Sequence, residues 1–118
     1  MEHQAQKYIL LQVDGRCVRC CIKRIVCIVS QNEKCFVYER LRNSSAVRLV
    51  ESTYRLSWFR EQIHDPRFFN IFRGIVYNTR FYLAHDSERI IYSDADGVPR
   101  LVVAVSALKD FREHLKKW

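Results

Sequence analysis

Glycine and proline are scarce in this chain of 118 residues, which holds three Gly and two Pro. That leaves little room for linkers, and the scattered Gly15, Gly74 and Gly97 exclude a glycine-rich loop of the kind that cradles a nucleotide phosphate. Long apolar runs are missing too. Ile25 to Val29, which no other apolar run exceeds, is strand-sized, far short of the roughly 20 residues that span a bilayer. The polar start with Glu2 and His3 predicts no secretory signal, and Met1 to Gln6 reads as a frayed tail. These absences predict one domain over residues 1–118, intracellular (nucleus or cytoplasm) and without membrane contact.

Cysteine is not scarce, but all five (Cys17, Cys20, Cys21, Cys27, Cys35) fall in the first third of the chain. An odd count without a secretory signal predicts reduced thiols rather than a disulfide framework. Cys17-x-x-Cys20 is half of a zinc pattern, yet a second pair is missing and His64 is far along the chain. Small apolar strand fillers are the better reading, so no metal or other cofactor is expected. Catalytic signals are equally thin. His64, His85 and His114 have no cysteine in their half, and Asp94-x-Asp96-Gly97 reads as a turn before it reads as a magnesium site. No enzyme is expected.

What the chain has in excess is positive charge, a net +7. Arg16, Arg19, Lys23 and Arg24 lie close together with no acid among them, and Arg67, Arg73 and Arg80 read as cations without a paired acid. The two helical segments mix their signs: Arg60 beside Glu61, Lys109 beside Asp110, Arg112 beside Glu113. Surplus cations on strands and balanced helices point to a polyanion as partner.

In order, the periodicity predicts strands over 7–13, 16–24, 25–30, 35–40 and 46–51, with Asp14-Gly15 a hairpin turn. A helix capped by Ser52 or Thr53 follows, presents Leu56, Phe59 and Ile63 inward, and ends before Pro66. The second half reads as four strands (71–78, 79–85, 88–94, 99–106) and a helix over 107–118. Ser106 is its expected N-cap, and Leu108, Phe111, Leu115 and Trp118 form its apolar stripe. Leu101, Val103 and Val105 should share one buried face. The halves align: Phe36-Val37-Tyr38 with Ile90-Ile91-Tyr92, Arg48-Leu49-Val50 with Arg100-Leu101-Val102, and Leu56-x-x-Phe59-Arg60-Glu61 with Leu108-x-x-Phe111-Arg112-Glu113. The expected fold is therefore α+β, two ββββα repeats (16–65 and 70–118), each a curved antiparallel sheet crossed by a helix, packed on each other.

Asn78-Thr79-Arg80-Phe81-Tyr82-Leu83, Glu88-Arg89-Ile90, Asp110-Phe111-Arg112-Glu113 and Gln31-Asn32-x-Lys34 with Phe36 carry a resemblance to the purine-rich-element binding (PUR) repeat. PC4-type and Whirly-type single-strand binders share that topology. The resemblance implies binding of single-stranded DNA or RNA in transcription, replication or RNA handling. Its carried-over contact positions are Gln31, Asn32, Lys34, Phe36, Asn78, Arg80 and Arg89. Thr79 stands where the family has Lys, and Ile90 where it has a stacking Phe. Alternation of side chains adds Tyr38 and Tyr82 as further aromatics able to stack on bases. The partner expected is single-stranded nucleic acid, with the chain a monomer whose repeats pair internally or a homodimer. The alternative is a protein-interaction or dimerisation module that keeps the fold without the ligand.

Overall fold

The computed structural model describes residues 6–118; the expected tail, Met1 to Gln6, lies outside them except for Gln6. Ten strands, two α-helices and three short 3₁₀ turns follow one another: β1 (Tyr8–Val13), β2 (Arg16–Cys21), β3 (Ile25–Gln31), β4 (Lys34–Arg40), β5 (Val47–Ser52), α1 (Leu56–Gln62), β6 (Phe68–Phe72), β7 (Ile75–Asn78), β8 (Tyr82–His85), β9 (Ile90–Ser93), β10 (Leu101–Val102) and α2 (Leu108–Lys117).

These strands form three sheets. A central antiparallel sheet runs β5-β4-β3-β7-β6, with a two-stranded hairpin β1-β2 and a three-stranded sheet β10-β9-β8 beside it. Successive residues of β3 point to opposite faces, so Ile28 enters one core and Cys27 the other. The first core joins Ile28, Val37 and Val50 of the central sheet to Ile9, Leu11 and Cys20 of the hairpin and Phe59 of α1. The second joins Val26, Cys27, Ile71 and Tyr77 to Phe81, Ile91, Leu101 and Phe111 of α2. A strand covered on both faces needs an unbroken apolar run, and Ile25 to Val29 supplies it.

Two tight hairpins are legible in their backbone. Asp14 (φ 49°) with Gly15 (φ 75°), and Asn32 (φ 52°) with Glu33 (φ 64°), put two successive residues in the left-handed region. A two-residue turn of that hand matches the twist of the strands it joins.

Two ββββα repeats are not what forms. Each helix follows five strands rather than four, and the sheets do not divide at the halves: β7, from the second half, pairs with β3 from the first, Cys27 opposite Tyr77. The run 71–78 is not one strand, because Arg73-Gly74 (Gly74 φ 78°) turns the chain between β6 and β7. The run 79–85 begins with a 3₁₀ turn, Thr79–Phe81, and only Tyr82–His85 is strand. Leu101 and Val103 are buried as expected, but Val105 is 71% exposed, since the chain leaves β10 at Val102 and enters a 3₁₀ turn at Val105–Ala107. That turn displaces the expected cap: Ala107, not Ser106, precedes α2, and no side chain caps it. Likewise Arg55 precedes α1, and the Ser52 hydroxyl accepts from the Tyr54 N–H instead (3.1 Å). Phe59 and Phe111 are fully inside, whereas Trp118 is half-exposed.

Candidate nucleic-acid interface

The residues singled out from the sequence do not meet on one surface. Gln31, Asn32 and Lys34 are exposed together at the β3–β4 hairpin end, where Gln31 and Lys34 face each other in register and Lys34 pairs with Glu51 of β5 (2.5 Å). Phe36 and Tyr38 lie half-buried on the same face of β4, and Tyr38 packs against the second core, which raises its phenol pKa by desolvation. Tyr82 packs edge-on against Phe111 (5.7 Å between rings), with its hydroxyl 2.6 Å from His85 Nδ1. All three rings, Phe36, Tyr38 and Tyr82, are half-buried. Arg89 sits in the β8–β9 turn with φ 65°, and its Nε–H donates to the Val103 carbonyl (2.9 Å).

Asn78 is wholly buried and structural. Its amide donates to the Ile25 carbonyl (2.9 Å) and the Lys23 carbonyl (3.5 Å), while its Oδ1 accepts from the Arg80 N–H (3.1 Å). It thereby ties the 3₁₀ turn Thr79–Phe81 to the 3₁₀ turn Ile22–Arg24. Arg80, which has no acid nearby in sequence, meets one in space: its guanidinium donates to Asp65 just beyond α1.

That junction of two turns opens onto a strongly basic concavity. One cleft, about 320 Å³, is lined by Lys23, Arg24, Arg40, Leu41, Arg42, Asn43, Arg80 and Phe81. A neighbouring cleft of about 270 Å³ shares Arg24, Arg40, Leu41 and Arg42 with it and adds Arg19 and Arg48, along with Tyr8, Cys21 and Glu39. Seven cations therefore line one continuous surface, and Glu39 is its one acidic lining residue. Glu39 is almost fully buried; it accepts from Arg48 Nε (2.5 Å) and from the Cys21 N–H (2.6 Å).

Several of these side chains are fixed in place. Arg48 also donates to the Arg19 carbonyl (2.7 Å). Arg40 donates to the Ser44 carbonyl (2.8 Å) and to Asp94 (3.2 Å), and its guanidinium lies 5.9 Å from the Phe81 ring centre. Arg19 stacks over the Tyr8 ring at 4.4 Å. Such anchored forks are suited to phosphate oxygens, which they meet without first losing side-chain freedom.

Of the residues expected from the resemblance, only Arg80 belongs to this surface. Of the basic run Arg16, Arg19, Lys23 and Arg24, the last three line it and Arg16 does not. Arg40, Arg42 and Arg48 were not singled out; Arg40-Leu41-Arg42 at the exit of β4 is the local signal that marks them. All five cysteines are free, and no group of metal-ligating side chains occurs among the described residues.

No protein-family model matches the chain, and neither does any curated protein. Among solved structures it is similar to the LytTr DNA-binding domain of a response regulator from Bacillus cereus, with a TM-score of 0.70, 16% identity, and coverage of 94% of this chain and 98% of that one. The likeness establishes the fold. It overturns the resemblance to PUR repeats and to PC4-type and Whirly-type binders, which belong to a different fold family. No helix among the described residues is long and apolar enough to cross a membrane.

Proposed function

We propose that this chain is a DNA-binding module that grips the phosphate backbone of a duplex through the cationic surface of Arg19, Lys23, Arg24, Arg40, Arg42, Arg48 and Arg80. The observation that carries the proposal is the convergence of these seven side chains, drawn from four separate segments, on one concavity. The similar Bacillus cereus domain of the same fold, a DNA-binding domain, supports it. Duplex is favoured over single strands because the surface is made of guanidinium groups rather than open aromatic faces: the Tyr8 ring already carries Arg19, and Phe81 is buried. On this reading the chain binds DNA and carries out no catalysis of its own.

The experiment is a titration of duplex DNA, single-stranded DNA and RNA of one sequence at several salt concentrations. Duplex should bind tightest, with log affinity falling steeply against log salt as counterions are released. Affinity that ignores salt would refute the reading and leave a protein-interaction module in its place. Preference for single strands would refute its choice of duplex.

A further inference from the structure

Within the cationic surface, Arg24 differs from its neighbours. Arg40, Arg48 and Arg80 each have an acidic partner, Asp94, Glu39 and Asp65. Arg24 has none among the described residues, and its Nε–H is buried without any acceptor. It is the one such orphan side-chain nitrogen or oxygen among them. A buried donor left unsatisfied is costly and rare in folded proteins, and a water, an ion or a ligand commonly completes it.

The surroundings favour an anion of one kind. Arg24 lines both clefts, and the cleft it shares with Lys23, Arg42 and Arg80 has no carboxylate in its wall. Its backbone is held from behind, because Asn78 takes the carbonyls on either side, those of Lys23 and Ile25. Asp65 fixes Arg80, which lines the same cleft. At about 320 Å³ the cleft has room for more than a single small anion.

We propose that this cleft is a discrete site for linked phosphate groups, with Arg24 as its central ligand and Lys23, Arg42 and Arg80 around it. Two linked phosphates seat on these cations, and the Arg24 guanidinium turns to give its Nε–H to a phosphate oxygen. The site deepens the DNA reading by naming where backbone phosphates are held, and it rests on that reading for its occupant in DNA. A free diphosphate or the polyphosphate of a nucleotide offers the same chemistry, so either would compete with DNA there.

The test follows the arginine Nε–H signals of the full chain by NMR while sodium pyrophosphate is added, against sodium chloride at matched ionic strength. The Arg24 signal should move and saturate with pyrophosphate, and the Arg48 signal, outside this cleft, should not. Arg24→Lys keeps the charge and loses the fork, and should weaken pyrophosphate binding about tenfold. Arg42→Gln, at an exposed position, should weaken it without disturbing the fold. Equal shifts from chloride, or undiminished binding in both variants, would overturn the proposal. A displacement arm separates the two claims. If pyrophosphate binds at Arg24 but no DNA binds, the phosphate site stands and the DNA reading falls. If DNA binds but pyrophosphate neither binds nor displaces it, the DNA reading stands and the discrete site falls.

Discussion

The Glu39 carboxylate, 3% exposed, holds Arg48 of the adjacent strand at 2.5 Å through one oxygen and the Cys21 N–H at 2.6 Å through the other. One buried acid thus joins β4 to β5 and to the end of β2, and aims a guanidinium at the cationic surface. Glu39→Leu would leave the Cys21 N–H unpaired and Arg48 without its charged partner, held by the Arg19 carbonyl. We expect a loss of about 2–3 kcal/mol in urea unfolding. Arg48→Met should cost about as much, because it strands the buried carboxylate. An unchanged midpoint in both would remove Glu39 from this role.

Cations of the cleft should read out through salt. Replacing Arg40 or Arg42 with Gln should lower the log–log salt slope of duplex binding by roughly one for each phosphate no longer neutralised. Lys109 and Lys116 on α2 lie outside both clefts, so their Gln variants serve as controls that leave the slope in place. Slopes that fall equally in all four would mean net charge alone drives binding.

Asn78 is expected to act on stability first. Asn78→Ala removes an amide that serves both 3₁₀ turns and should destabilise by about 2–3 kcal/mol. Asn78→Asp should be worse, since a carboxylate facing two carbonyl oxygens is repelled and buried. Denaturant melts of the two variants check the order.

Legibility from sequence followed the reach of each signal. Phe59 and Phe111 were readable because helical spacing is local, and Asp14-Gly15 because turn chemistry is local. Arg73-Gly74 was misread, since a glycine inside an apolar run resembles a strand irregularity as much as a turn. The pairing of β3 with β7 leaves no trace in local pattern, so aligned halves suggested two separate sheets. The site suffered for the same reason. Arg80 finds Asp65, and Arg40 finds Asp94, only once the chain is folded, and Asn78 reads as a polar surface residue until its burial is known.

Thiol chemistry should divide the cysteines. Burial pushes the Cys20 thiol up to about 11, with the Glu39 charge adding to it, and burial pushes Cys27 up to about 12. Cys17 is exposed. A thiol reagent at pH 8 should label Cys17 fast in the folded chain, whereas Cys20 and Cys27 should react only in denaturant. Fast labelling of Cys27 in the folded chain would contradict the second core.

His114 gives a pH signature. Burial holds its imidazole below the ordinary 6.5, and Lys117 acts in the same direction. The unfolded chain therefore binds the proton more readily, so stability falls as pH drops through 6.5 to the folded value and is flat above that window. His114→Gln should flatten the dependence of Tm on pH just below the ordinary histidine value of 6.5. A slope unchanged by the substitution would assign it to other groups.

The β3–β7 pairing also bears on how the chain reaches its fold. Cys27 must find Tyr77, and Ile28 must find Val76, across the whole of β4, β5, α1 and β6. Closing so long a loop costs chain entropy before any contact offsets it, which places this step late and makes it slow. Until it closes, β3 presents an open edge and Cys27 has no second core to enter. A fragment ending before β7 should keep that edge, and should associate with other chains rather than fold alone.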